Sequence, residues 1–414
     1  MRKLTVKNFS VIKDAELEFG KITVLIGPQS SGKSLLCKLA FFFGQVVPEI
    51  ENDMLSRRKS FDEFRKKLEE EFIERFPNDS WRGQSFRITY ESAQFDVALE
   101  HIDEGHHFMA EFGGDFSQRY NDFIGPNPEE SRRFNAIDRS WTGKRVDFGP
   151  LRLEHSIYIP TGRAFFSTPN KGFASISGKN LDWITQRFST EMDFDYRALV
   201  ESYGSDRYLL SAFGKEALNI LGGRIRISNG VPQFESASNG RVLPFERQSS
   251  GTLELLPLLN PLSSSVLHAK YPDIPIIEGP RFGTIYVEEP ESSVFPKTQY
   301  DLVRLFAWIA NEATINKSLA ITTHSPYILS VFGDLVKAGK VGAQSTKKHT
   351  SVAEVIPEKY WINEGDFTAY KIEKGKLVSI FDKETGQIDG DYLDDVSSDI
   401  AEEFGQLLEI QYGG

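Results

Sequence analysis

The sequence predicts an α/β fold in which a mixed sheet is flanked by helices. Three short apolar runs carry this prediction, because each is typical of a buried strand and each ends at a polar or glycine-rich turn. The runs are residues 22–26, 284–287 and 319–321. Helical patterns follow the first and the third run. Strands that alternate with helices in this way favour an α/β sheet.

An eight-residue loop joins the first run to a helix with an apolar face. The loop consists of Gly27, Pro28, Gln29, Ser30, Ser31, Gly32, Lys33 and Ser34. Gly27 and Gly32 allow a close approach of backbone N–H groups to phosphate oxygens at the helix N-terminus. Lys33 would neutralise the β and γ phosphates, and Ser34 would place its hydroxyl on Mg²⁺. The loop therefore predicts a site for ATP with Mg²⁺.

The second run ends in acid. Glu288 and Glu289 follow residues 284–287 directly, and Pro290 and Glu291 come next. We expect Glu288 to contact the metal through water and Glu289 to orient and polarise the attacking water. A solvated surface pair is the alternative, and it is disfavoured because the phosphate and metal partners are already specified in the phosphate loop.

A second candidate anion site opens an apolar helix near residue 250. Ser249, Ser250 and Gly251 form the polar turn before that helix, where a serine hydroxyl and free amides favour an anion. One nucleotide rarely needs two such sites that face different ways. The economical interpretation is that this turn caps the nucleotide of another subunit, so that two copies sandwich two ATP molecules.

The third run leads to a histidine. His324 follows residues 319–323 at the carboxyl end of the predicted strand, where ligands of open α/β sheets gather. It is a candidate contact for the γ-phosphate. The cluster His101, His106 and His107 lacks accompanying cysteines, and we interpret it as a solvated hairpin end rather than a metal site.

In their order along the chain, the phosphate loop, the Ser249 turn, the acidic strand end and the His324 segment resemble the motifs of the ABC-type ATPases of the SMC and RecF group. More narrowly, the chain resembles the ATPase subunits of bacterial antiphage systems: the overcoming-lysogeny-defect (OLD) family and the Septu, retron-associated and PARIS systems. The resemblance covers residues 1–45 and 240–335 and implies an ABC-type head with an α+β insertion between the phosphate loop and the signature. The roles it implies are phosphate-loop lysine for Lys33, Mg²⁺ ligand for Ser34, metal-site acid for Glu288, catalytic glutamate for Glu289, switch histidine for His324, and the signature that completes the partner's site for Ser249 and Gly251.

The chain also departs from the family pattern. Glu288 stands where the family usually has Asp, and residues 292–296 lack the usual histidine. The family's glutamine between the first two motifs has no assigned position here. Arg163, in a segment that resembles one recurring in these proteins, is a candidate near the nucleotide or the subunit interface. A surface arginine in a turn is the alternative.

The predicted organisation has three parts. Residues 1–45 and 240–340 form a split ATPase core, residues 46–239 form the insertion, and residues 341–414 form a C-terminal α+β extension. The insertion is expected to contain a hairpin at 86–90 and 95–99, a helical stretch at 181–221 that breaks near residue 205, and a strand at 224–228. The extension is expected to contain strands near 370–372 and 377–380 and a helix at 394–408. Asp389 and Asp391 are interpreted as a turn rather than a Toprim-type magnesium pair, since no long apolar strand precedes them.

Composition favours a water-soluble, intracellular protein of two lobes. The 414 residues are 40% hydrophobic, and no apolar run reaches membrane-spanning length. The single Cys37 excludes an intramolecular disulfide, suits the reducing cytoplasm and is expected in the core. The formal net charge of −11 argues against a broad non-specific grip on DNA and leaves a local DNA contact open.

The sequence therefore favours an ATPase that is sensor and scaffold in an antiphage complex and controls a separate toxic effector, a nuclease. It would act as a homodimer, with higher-order assembly left open. The alternative is a DNA repair or maintenance ATPase of the RecF/SMC type. A membrane transporter motor is disfavoured because more than 200 residues separate Ser34 from Ser249. A nucleotide kinase would leave the signature turn and His324 unexplained.

Overall fold

The computed structural model describes residues 2–81, 83–102, 107–124, 151, 156–167, 181–192, 212–228, 231–244, 247–270, 283–312, 317–382, 385–388, 402–403 and 406. Its strands are β1 Arg2–Phe9, β2 Ile12–Phe19, β3 Ile22–Ile26, β4 Phe86–Glu91, β5 Asp96–Ile102, β6 His107–Phe112, β7 Ile157–Ile159, β8 Gly223–Ser228, β9 Val231–Ser236, β10 Val242–Pro244, β11 Gly283–Glu288, β12 Lys317–Thr323, β13 Phe367–Glu373, β14 Lys376–Ser379, β15 Phe381–Asp382 and β16 Gln387–Ile388.

The α-helices of the described residues are Lys33–Phe41, Val47–Ser56, Phe61–Arg75, Asn78–Trp81, Phe116–Ile124, 183–192, Ala212–Leu221, Ser250–Lys270, Pro296–Asn311, Pro326–Gly342 and Thr346–Val355. A π-helical turn, Phe42–Val46, continues the first helix. Short 3₁₀ helices span Arg163–Ser167, Glu358–Tyr360 and Glu364–Asp366.

One sheet of eleven strands organises the molecule, in the order β6-β5-β4-β1-β2-β14-β13-β3-β12-β11-β7. The strands β13, β3, β12, β11 and β7 are parallel to one another, whereas β13 is antiparallel to β14, and β4, β5, β6, β1 and β2 form antiparallel pairs. Strands β8–β10 form a separate small sheet. The predicted mixed α/β fold is confirmed.

The parallel half places the motifs together. Strand β3 is buried at all five positions and β11 at all six, as expected for parallel strands covered on both faces. Strand β12 lies between them and pairs with both. The phosphate loop, the acidic residues and His324 each follow one of these three strands, so they meet at one edge of the sheet.

Aromatic side chains fill the antiparallel half. The helix Phe61–Arg75 packs over the sheet, and its Phe72 ring lies between 4.9 and 6.2 Å from the rings of five other phenylalanines. Ser60 begins this helix with a capping box: its hydroxyl accepts from the Glu63 N–H, and the Glu63 carboxylate accepts from the Ser60 N–H.

The main sheet takes strands from all three predicted parts of the chain. Strands β13 and β14 of the expected C-terminal extension lie inside the main sheet, and β13 pairs with β3 itself. The hairpin of the expected insertion, observed as β4 and β5, extends the same sheet beyond β1. Apolar alternation identified these strands correctly, but it does not contain the order in which strands pair.

Helix 183–192 and helix Ala212–Leu221 occupy the ends of the predicted helical stretch. The break predicted near Ser205, the Asp389–Asp391 turn and most of the predicted helix at 394–408 lie outside the described residues. Strand β8 matches the strand predicted at 224–228. No helix in the described part of the chain combines the length and hydropathy needed to cross a membrane.

Candidate functional site

The phosphate loop has the two glycines where its backbone leaves no room for a side chain. Gly32 adopts φ +105°, and a Cβ there would lie 2.3 Å from Cδ1 of Ile12. A Cβ on Gly27 would lie 2.6 Å from the backbone oxygen of Ile372. Glycine at both positions therefore avoids a clash with the chain's own β2 and β13, while the predicted approach of backbone N–H groups to phosphate stays a prediction.

Lys33 closes the loop on itself. Its buried amine donates to the backbone oxygens of Gly27 and Pro28, each at 2.8 Å. Burial lowers the pKa of Lys33, and the nearby Glu289, Glu291 and Glu288 oppose that shift. The Lys33 amine therefore lies at the phosphate loop, where the carboxylates of Glu288, Glu289 and Glu291 act on its charge.

The Glu288 carboxylate is buried and held by β7 and the segment that follows it. Tyr158 donates its hydroxyl to Oε1 of Glu288 at 2.5 Å, and the backbone N–H of Thr161 donates to Oε2 at 3.2 Å. The Tyr158 hydroxyl also lies 3.4 Å from the backbone oxygen of Ser34. One phenol therefore bridges the two residues predicted to hold the metal. Burial, reinforced by Glu288, raises the pKa of Tyr158 well above its usual value, so this hydroxyl stays a donor.

Glu289 lies just beyond the end of β11 in a left-handed backbone conformation, with φ 41°. Such a conformation in a residue other than glycine costs about 1 kcal/mol and persists where surrounding contacts fix it. Here the Glu289 N–H donates to the backbone oxygen of Thr322 at 2.9 Å. The kink directs the carboxylate to His324, whose Nε2 lies 3.2 Å from Oε1 of Glu289.

Glu291 fixes the loop that carries His324. Its Oε1 accepts from the backbone N–H of His324 at 2.6 Å and from the Thr323 hydroxyl at 2.8 Å. Glu291 was part of the predicted acidic run but had no predicted role. The structure makes it the tie between the end of β12 and the turn after β11.

Arg163 is fully buried, which contradicts the alternative of a surface arginine in a turn. Its guanidinium donates to the backbone oxygens of Glu288 at 2.7 Å, Glu289 at 3.1 Å, Glu254 at 3.2 Å and Pro160 at 3.2 Å. Burial lowers the pKa of Arg163, and Glu254 leads the four carboxylates that oppose the shift.

The signature turn is exposed at Ser249 and begins the helix Ser250–Lys270. The Ser249 hydroxyl accepts from the Thr252 N–H at 3.3 Å, as an N-cap does. A Cβ on Gly251 would lie 2.9 Å from the backbone oxygen of Ser293. The signature turn thus contacts its own chain's turn after the acids, and its outer side is open to another molecule.

These residues fit ATP and Mg²⁺. Three buried polar atoms, Ser31 Oγ, Glu291 Oε2 and Thr322 Oγ1, have no hydrogen-bond partner within the described structure. They lie in the phosphate loop, in the turn after β11 and near the end of β12, where a bound phosphate could accept from the two hydroxyls and a bound water could donate to the Glu291 carboxylate. No group of three or more His, Cys, Asp or Glu in the described ranges could hold a metal. Two protein oxygens, from Ser34 and Glu288, would be enough for Mg²⁺, because this ion keeps several waters and takes phosphate oxygens as further ligands.

Two histidine and cysteine predictions have different outcomes. His101 is buried, not solvated: its Nδ1 lies 2.9 Å from the Gln84 backbone oxygen, and its ring stacks on Phe86. His106 and the His107 side chain lie outside the described residues. Cys37 is buried in the core as expected, and burial raises the pKa of its thiol.

Tyr158 and Thr161 are the site residues that sequence reasoning missed. They lay in a segment already singled out for Arg163, but nothing in their pattern shows that β7 pairs with β11 in register Tyr158 to Tyr286. That pairing brings the Tyr158 hydroxyl to Glu288.

The phosphate loop after a central parallel strand, with two acids after a nearby one, defines a P-loop ATPase. The chain belongs to the AAA_21 family, described as "AAA domain, putative AbiEii toxin, Type IV TA system", whose model matches residues 22–330. This membership confirms the predicted ATPase class and ATP as its nucleotide.

A curated relative, the OLD nuclease of Thermus scotoductus, is 22% identical over 344 residues, which are 80% of this chain and 60% of the relative. The chain thus spans less than two thirds of that protein. The resemblance to OLD-type ATPases is confirmed.

Solved structures also match along most of the chain. The SMC head domain from Thermotoga maritima is 12% identical and covers 91% of this chain and 97% of its own, with a TM-score of 0.37. An SmcHead bound to the C-winged helix domain of ScpA is 11% identical and covers 91% and 96%, with a TM-score of 0.43. The strand order of the main sheet, and not these matches, identifies the fold.

Proposed function

We propose that this protein hydrolyses ATP in composite sites formed by two copies of the chain, and that it controls a separate effector in a defence complex. The observation that carries the ATPase proposal is the convergence of Lys33, Glu288, Glu289 and His324 at the ends of three neighbouring parallel strands. Each side chain there has a role that hydrolysis needs.

In this proposal the phosphate loop binds the triphosphate. Lys33 exchanges its two backbone carbonyl partners for β- and γ-phosphate oxygens. Ser34 and, through water, Glu288 would hold Mg²⁺, which would supply charge neutralisation between the phosphates. Tyr158 and Thr161 keep the Glu288 carboxylate oriented toward Ser34.

Glu289 is the proposed base for the attacking water, and His324 is the proposed γ-phosphate contact. Their 3.2 Å separation places an acceptor and a ring nitrogen side by side where the terminal phosphate would lie. Glu289→Gln should lower kcat by about 10² or more, or roughly 3 kcal/mol of barrier, while ATP remains bound. A single-turnover assay with radiolabelled ATP measures this, and a wild-type rate would refute the assignment.

The dimer is proposed from the signature turn. Ser249 is exposed, and it lies with Gly251 at the start of the helix Ser250–Lys270. An anion-binding helix N-terminus of this kind suits the γ-phosphate held by a partner copy.

The defence role is supported by the family, whose description names a putative toxin of a type IV toxin–antitoxin system, and by the OLD nuclease relative. We propose a nuclease as the effector on the same grounds. Affinity capture of tagged Glu289→Gln protein from its host with ATP, followed by mass spectrometry, tests this. Recovery of a nuclease supports the defence role, whereas recovery of recombination proteins and DNA alone favours the DNA-maintenance alternative.

A further inference from the structure

Arg163 connects two parts of the site that belong to different composite sites in the proposed dimer. Its Nη1 and Nη2 hold the backbone oxygens of Glu288 and Glu289, next to the chain's own nucleotide. Its Nε holds the backbone oxygen of Glu254, in the helix whose N-terminus would face the partner's nucleotide.

We propose that Arg163 is a positioning residue that transmits occupancy of the signature turn to the catalytic Glu289 of the same subunit. The inference rests on the proposed function, because it presumes that Glu289 acts on ATP and that the signature turn receives the partner's ATP. It goes further because it names the residue whose hydrogen bonds link the two sites.

The Arg163 side chain is held in one position by burial and by its hydrogen bonds. The Arg163 side chain is 0% exposed and reaches four backbone oxygens, counting Pro160 of its own segment. A planar guanidinium with donors on three nitrogens holds such partners in one relative arrangement, which a lysine amine cannot do. The 3₁₀ helix Arg163–Ser167 packs against the signature helix, Ser250–Lys270, and this packing fixes the backbone from which the Arg163 side chain extends.

The backbone of Glu289 is held in a strained, left-handed conformation. Its φ of 41° is sustained by the Thr322 oxygen on one side and by Arg163 on the other. The direction of the Glu289 carboxylate depends on this kink. A shift of the signature helix that moves Arg163 therefore changes where the carboxylate points, without any contact between the signature turn and the nucleotide of its own subunit.

The helix Ser250–Lys270 also contacts the turn after the acids directly. Gly251 packs so closely on the Ser293 backbone oxygen that a Cβ would lie 2.9 Å from it. The turn containing Ser293 is closed onto the acids, because the Ser292 N–H donates to the Glu289 oxygen at 3.0 Å. The signature helix thus touches the acidic turn at its first residues and, through Arg163, one turn later at Glu254.

The charge around Arg163 agrees with a shared position. The Glu254 carboxylate lies 3.4 Å from Nε of Arg163, and its pKa is raised by burial against the opposing effect of Arg163. Glu254 thus gives Arg163 both a backbone oxygen and a carboxylate within ion-pair distance. Loss of that carboxylate should weaken the link without removing it.

The test compares kcat and KM for ATP in Arg163→Lys, Arg163→Met and Glu254→Gln. We expect kcat to fall about 10-fold in Arg163→Lys and about 100-fold in Arg163→Met, since small misplacements of catalytic groups have effects of this size. Glu254→Gln should lower kcat roughly threefold. In all three, KM should stay within about twofold, and ATP should still dimerise the protein when Glu289→Gln is added.

Arg187→Lys is the matched control. Arg187 is another arginine held by side-chain contacts: it is 24% exposed and donates two hydrogen bonds to Glu49, and none of its contacts with described residues involves a proposed catalytic residue. It should lower the thermal midpoint but leave kcat within about twofold.

Wild-type kcat in folded Arg163→Lys and Glu254→Gln would overturn the inference, and these two variants decide it if Arg163→Met does not fold. An equal loss of kcat in Arg187→Lys would overturn it too, because the effect would then reflect general destabilisation. Normal hydrolysis by Glu289→Gln would instead refute the proposed function, which keeps the two failures distinct.

Discussion

The antiparallel half of the main sheet is packed with aromatic rings, whereas the parallel half ends in charged side chains held by directed hydrogen bonds. Phe72 in the first half contacts other rings at centroid distances up to 6.2 Å and has no polar atom to satisfy. Glu288 in the second half is equally buried, but three donors of Tyr158 and Thr161 surround its carboxylate. The first half can tolerate a change of shape at a cost in stability, while the second depends on single atoms.

The largest expected effect concerns the aromatic half. Phe72→Ala should lower the free energy of unfolding by about 3–5 kcal/mol, because it removes a fully buried ring from the centre of a ring cluster. Urea unfolding followed by fluorescence measures this. Below the unfolding transition, KM for ATP should not change. A large rise in KM with little loss of stability would show that the two halves are not independent.

A smaller effect concerns the carboxylate end. Tyr158→Phe should raise the Mg²⁺ concentration for half-maximal hydrolysis about 10-fold, since a hydrogen bond to a charged group contributes roughly 1.5–3 kcal/mol. The stacking of ring 158 on Tyr286, at 13° between planes, does not need the hydroxyl and should persist.

Tyr120→Phe provides the matched control for Tyr158→Phe. Tyr120 is also fully buried, and its hydroxyl donates to the Lys59 backbone oxygen in the aromatic half. It should leave the Mg²⁺ requirement unchanged. An equal shift in both variants would mean that the Tyr158 hydroxyl does not act through Glu288.

The smallest effect is local. Ser60→Ala removes the hydroxyl that caps the helix Phe61–Arg75 and should destabilise the protein by about 1 kcal/mol. Thermal unfolding measures the change, and ATP hydrolysis at 25 °C should be unaffected. A change in kcat here would indicate that this helix communicates with the phosphate loop.

Much of the site could be predicted from sequence because its parts are local. Gly27 to Ser34 form one loop, and Glu288, Glu289 and His324 each follow an apolar strand, so general rules for parallel sheets bring them to one edge. His324 and Glu289 do meet, at 3.2 Å. The hairpin of β4 and β5 was likewise visible in the alternation of its residues.

Sequence patterns did not predict contacts that depend on strand order. Tyr158 reaches Glu288, 130 positions away in the chain, only because β7 pairs with β11. The position of β13 beside β3 was missed for the same reason. His101 shows the limit of composition, since a histidine in a polar cluster is buried here against Phe86 and Trp81.

The central claim is that two copies of the chain complete each other's ATP sites. Sedimentation velocity of Glu289→Gln protein, with and without ATP and Mg²⁺, tests it most directly when repeated on Glu289→Gln with Ser249→Arg. We predict that ATP doubles the molar mass of the first protein, and that the second binds ATP but stays a monomer, since an arginine at the exposed helix start blocks the facing phosphate loop. ATP-driven dimerisation of the Ser249→Arg protein, or none in either protein, would contradict the claim.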